Sequence, residues 1–83
     1  MADKYRATVA GGFSLGRYNN LPETMRLVRA ELNRPGQRVV YLRQQHASAV
    51  VTFTSTDVTA TNQVGEPIDL PDWAIKAQRL LTI

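Results

Sequence analysis

Asn20–Asn33, NLPETMRLVRAELN, is the stretch on which the fold turns. Leu21, Met25, Val28 and Leu32 recur at i, i+4, i+7 and i+11, which stacks four apolar side chains on one stripe of a helix. Asn20 is a good N-cap, Pro22 falls in the first turn, and Glu23 follows the cap by three residues, as in a capping box. Asn33-Arg34-Pro35-Gly36 ends the helix, because proline cannot extend it and glycine takes the turn. At about 100° per residue, Arg26 and Arg29 share one flank of the stripe while Leu27 and Glu31 lie on the other. The helix therefore has a core face and a basic shoulder.

Upstream, Lys4–Ala10 (KYRATVA) alternates Tyr5, Ala7 and Val9 with Arg6 and Thr8, the period of a strand. Gly11-Gly12 permits either a tight turn or a close backbone approach. Phe13–Tyr18 (FSLGRY) reads either as the second strand of a hairpin or as a loop into the helix, with Gly16 weakening the strand. Downstream, Gln37–Gln44 (QRVVYLRQ) and Ala49–Thr54 (AVVTFT) read as strands joined through a loop at Gln45–Ser48. Ser55-Thr56-Asp57 turns the chain, and Val58–Asn62 (VTATN) returns it. The threonines suit an antiparallel sheet with one solvated face. Gln63–Ile68 reads as loop, with Gly65 and Pro67 as breakers. IDLPDWAIKAQRLL, around Asp69, then repeats the cap, leucine, proline and acid of the first helix. Its apolar stripe is Leu70, Trp73, Ala74, Ala77, Leu80 and Leu81, and docking of Leu81 and Ile83 would keep its last turn from fraying.

These elements predict a single domain over 1–83 of the α+β class. It has a small antiparallel sheet of three to five strands, one central helix packed on it, and a C-terminal helix that seals an edge or end. The predicted core is Val9, Leu21, Met25, Val28, Leu32, Val40, Leu42, Val51, Phe53, Val58, Trp73, Ala77 and Leu80.

Composition excludes several functions. There are no cysteines among the 83 residues, so neither a disulfide scaffold nor thiolate chemistry is available. No signal peptide is read in MADKYRATVAGG, and no stretch is apolar enough to span a bilayer, so a cytoplasmic protein without membrane contact is expected. GGFSLG precedes a helix but lacks the Gly-Lys-Ser/Thr ending of a phosphate loop, and no G-x-G-x-x-G is present. His46 is the single histidine. With Ser48 and Asp57 it makes a nominal triad, which any small chain offers by chance, and an ordinary loop histidine is the simpler reading. Scattered carboxylates with one histidine lack metal-ligand spacing, and Asp69 and Asp72 are read as helix-capping acids. No enzyme, cofactor or metal site is expected.

The formal net charge is +3, and its distribution is uneven. Eight of the ten Lys and Arg residues lie between Met1 and Phe53 against three acids, while the remaining chain holds two against four. Most are arginines, which grip carboxylate and phosphate in a fork. A GC-rich genome would also raise Arg over Lys. The candidate partner-binding residues are Arg17, Arg26, Arg29, Arg34, Arg38 and Arg43, with Tyr41 (and Tyr18) as stacking surface. A solvated basic face is the alternative.

Two resemblances bear on function. From Asn20 to Leu81 the order α-β-β-β-α is similar to that of double-stranded RNA-binding domains. That family begins its second helix with lysines over the phosphates, whereas this chain has Asp69 and Asp72 there, with only Lys76 nearby. A compact α+β chain with no cysteine, no catalytic constellation and concentrated charge also resembles the small phage-encoded inhibitors of the anti-CRISPR kind. That resemblance implies docking on a CRISPR effector complex to block DNA binding, and it carries over no site residues. The leading expectation is a non-enzymatic binding or inhibitor protein that docks an Arg-rich surface on an acidic or nucleic-acid-handling protein complex. The second is a module that binds RNA or DNA directly.

Overall fold

The computed structural model describes residues 4–36, 38–45 and 47–81. The first helix forms as its sequence predicts: α1 spans Leu21–Leu32. The Asn20 side-chain oxygen accepts from the Glu23 backbone N–H at 2.8 Å, which makes the N-cap, and the Glu23 carboxylate reaches back to the Asn20 side-chain amide at 3.4 Å rather than to its backbone N–H. Leu21, Met25 and Val28 are buried, and Leu32 packs against the core. Thr24 is buried between them, its hydroxyl donating to the Asn20 carbonyl at 2.8 Å.

The strands are β1 Tyr5–Val9, β2 Phe13–Tyr18, β3 Val40–Gln44, β4 Val50–Phe53, β5 Val58–Thr61 and β6 Pro67–Ile68. A second helix, α2, covers Asp72–Leu81. The class is α+β and the sheet is antiparallel, but it has six strands in the order β2-β1-β3-β4-β5-β6, not three to five. Of the two readings of FSLGRY, the strand is the one that forms, and the sixth strand is β6. Gln63–Ile68 is not all loop, because its end returns to pair Ile68 with Ala60 and Pro67 with Thr61. Asn62 shapes that return: its side-chain oxygen accepts from the Val64 and Glu66 N–H groups at 3.1 and 2.9 Å. Proline is tolerated in β6 because the strand is an edge.

β1 is antiparallel to both β2 and β3, so these two run in the same direction on either side of it, and α1 carries the chain between them. A register shift in β2 between the partners of Ala7 and Thr8 leaves Leu15 as an extra residue that packs on the core. Gly16 beside it has φ 119°, and a Cβ there would meet the Tyr18 hydroxyl at 2.7 Å. That hydroxyl donates to the Leu15 carbonyl at 2.7 Å and holds the ring over the glycine.

Alternation then divides the sheet into two faces. Ala7, Val40, Leu42, Val51, Phe53 and Ala60 are buried in one cluster with Met25 and Val28 of α1 and Ala74 and Ala77 of α2. Both helices therefore cover the same face and pack against each other, so α2 does not simply close an edge or end. Trp73, with its ring centroid 6.1 Å from that of Tyr5, is half-buried against the cluster, as are Val58, Leu80 and Leu81. α2 starts later than its sequence signal: Asp69 does not cap it, and the Pro71 carbonyl receives the N–H groups of Ala74 and Ile75 at 2.9 and 3.1 Å. With β6 added, the order from α1 onward is α-β-β-β-β-α, one strand more than in double-stranded RNA-binding domains.

Candidate functional site

Among the described residues no helix lies over the other face of the sheet. Strand alternation and register place its residues in rows that run across the strands. Arg6 of β1 lies directly opposite Arg43 of β3, and the backbone of Arg17 in β2 pairs with Arg6 on the other side. Arg43 is opposite Val50, which is opposite Thr61. Two residues along each strand runs a second row: Ser14, Thr8, Tyr41, Thr52 and Thr59. Lys4, two residues before Arg6 and exposed, continues the ladder by donating its N–H to the Tyr18 carbonyl at 3.0 Å.

Arg6 and Arg43 are both exposed. Directly opposed side chains in an antiparallel pair have Cβ atoms about 4.5–5.5 Å apart, and like charges at that spacing destabilise the pair. Nothing in the six strands offsets this, because none of their residues is acidic. Neither arginine has a carboxylate partner among the described residues. The row is therefore a concentration of positive charge on a sheet face whose strands carry no acid, with Tyr41 36% exposed beside it.

The arginines expected to form one patch separate onto two sides of the domain. Arg43, Tyr41 and the backbone position of Arg17 belong to the open sheet. Arg26 and Arg29 are exposed on α1, which lies on the opposite side of the sheet. Arg34 and Arg38 are held by Glu31, which is buried at the end of α1. Arg34 approaches its carboxylate at 3.4 Å and Arg38 at 3.7 Å. Tyr18 is committed to Gly16 and Leu15. The residue that sequence reading passed over is Arg6, together with Lys4. Its alternation with Tyr5 and Ala7 was visible, but its alignment with Arg43 needed the strand order.

A cleft of about 410 Å3 opens on the helix side, where the last turns of α1 and α2 meet the β4–β5 turn. Arg29, Leu32, Thr54, Asp57, Gln78 and Leu81 are among its walls. Asp57 and Thr54 are engaged in shaping the turn: the Thr54 hydroxyl oxygen accepts from the Asp57 N–H at 2.9 Å, and the Asp57 carboxylate from the Val58 N–H at 3.2 Å. No acid, base and nucleophile converge there. His46 lies outside the described residues, and among those described no group of three or more acids or histidines is placed to hold a metal. Among the described residues no helix is long and apolar enough to cross a membrane.

The chain matches no protein-family model, no curated protein and no solved structure.

Proposed function

We propose that this is a non-enzymatic binding protein that docks its open sheet face on a negatively charged partner. The observation that carries the reading is the alignment of Arg6 with Arg43, extended by the backbone position of Arg17, on strands that contain no acid. A self-repelling row is a standing cost, and a polyanion offsets it on binding. Arginine and tyrosine are also the residue types that dominate binding hot spots. An acidic surface on a nucleic-acid-handling protein complex suits an inhibitor of the anti-CRISPR kind. Direct contact with RNA or DNA is the second reading, and the exposed Tyr41 ring next to the arginines favours it.

The docking face is tested by elution from immobilised heparin, a polyanion with no sequence or base. Arg6→Glu with Arg43→Glu should keep the circular dichroism of the wild type, since exposed charges contribute little to the fold, and should elute at much lower salt. Arg26→Glu with Arg29→Glu should move elution less. If the helix pair has the larger effect, the docking face is α1 and not the sheet.

A further inference from the structure

We infer that the occupant of the open sheet face is a single strand of nucleic acid, laid across the β-strands with its phosphates on the arginine row and its bases over the row beside it. The inference rests on the polyanion-docking reading above and names its partner.

The argument is the pairing of two rows of different chemistry. The row of Arg6 and Arg43 is cationic, and backbone register adds the Arg17 position. The parallel row, Ser14, Thr8, Tyr41, Thr52 and Thr59, carries no charge. It offers one aromatic ring among four hydroxyls, each of which both donates and accepts. The two rows are separated by two residues of strand rise, about 7 Å. That is the layout of a nucleotide chain in section: charge along one line, flat polar rings along the next. Tyr41 lies on the strand of Arg43 and two residues from it, so one phosphate and the base attached to it meet adjacent side chains of β3.

The same layout disfavours the other polyanions. Reading a DNA duplex in its major groove takes a helix or ribbon that enters a groove about 12 Å wide. A sheet face without such an element touches only duplex phosphates and leaves the neutral row idle. An acidic protein surface would satisfy the arginines, but a stable protein interface also needs an apolar centre shut off from water. Here the apolar side chains are few: Tyr41, half-buried Val39 two residues before it, and half-buried Val50, set among threonines and arginines. Rotatable hydroxyls and a single stacking ring read little sequence, so binding should be tolerant of base identity.

The test is fluorescence anisotropy with a labelled twelve-nucleotide oligothymidylate, a labelled oligouridylate of the same length, a mixed-sequence DNA duplex, and poly-glutamate as the acidic-protein probe. Wild-type protein should bind both single strands at least about tenfold more tightly than duplex or poly-glutamate. With two or three phosphates neutralised, log affinity should fall with log salt at a slope of about −1.4 to −2. Tyr41→Ala should weaken single-strand binding roughly tenfold. Tyr41→Phe should restore it, because the ring and not the hydroxyl stacks. Duplex or poly-glutamate bound as tightly as single strand overturns the inference using the wild-type protein alone. A folded Tyr41→Ala protein with unchanged affinity also overturns it. In either case, the heparin result for the Arg6 and Arg43 pair still decides the docking reading separately.

Discussion

Two pairs of arginines, equal in charge, stand in opposite situations. Arg34 and Arg38 follow α1 and turn back onto Glu31, whose side chain is only 10% exposed. Arg6 and Arg43 face each other across β1 and β3 with no carboxylate on any strand. The first pair is structural: its charge is spent on neutralising a buried acid at a helix end. The second is held in place by the backbone ladder and gains nothing from the fold. Charge counted along the sequence cannot separate the two, because what differs is the neighbour across space.

The comparison presupposes that one face of the sheet is core and the other is bare. Val28→Asp attacks that premise hardest. Val28 is completely buried between α1 and the sheet, and an unpaired charge there costs several kcal/mol against a small total stability. The domain should lose its cooperative thermal transition. A melt like that of the wild type would mean that α1 does not cover this face. Next in size is Glu31→Gln, which removes the acid that holds Arg34 and Arg38. It should lower stability by about 1 kcal/mol, or about 4–8 °C in melting temperature for a domain of this size. An unchanged melt would place Arg34 and Arg38 back among the free cations. The smallest effect, opposite in sign, belongs to Arg6→Thr. Relieving the like-charge pair with a good strand former should raise stability by about 0.5 kcal/mol. Added salt should stabilise the wild type more than this variant, because screening already does part of what the substitution does. Equal salt responses would show that the arginine row is not repulsive.

The helix-facing half of the fold was legible because its signals are local. The i, i+4, i+7 spacing of Leu21, Met25 and Val28, the Asn20 cap and the alternation in β3 and β4 each depend on a few neighbours. Every predicted core residue is buried or packed against the core. Ala7, Ala60 and Ala74 are equally buried but were not predicted, since alanine carries little hydrophobic signal. β6 was obscured by Gly65 and Pro67, whose breaker character is real but compatible with a turn and a two-residue edge. α2 begins late because the Asp69-Leu70-Pro71 signal imitates that of α1 without a capping side chain turning in. The candidate site was legible only in part. Arg43 and Tyr41 were named as partner-binding residues, but joining them to Arg6 depends on β1 lying between β2 and β3, a long-range pairing that no local pattern encodes.

That same placement sets the order in which the domain can assemble. β1 is early in sequence yet central in the sheet, and one of its edges is filled by β3 only after α1 has been made. β3, β4, β5 and β6 pair with neighbours in sequence and close short loops, so they can organise early. The β1–β3 pairing closes the longest sequence gap between neighbouring strands, so by loop-closure entropy it is expected to form late. It is also the pairing that brings Arg6 and Arg43 together, so the arginine row depends on the most distant closure in the sheet.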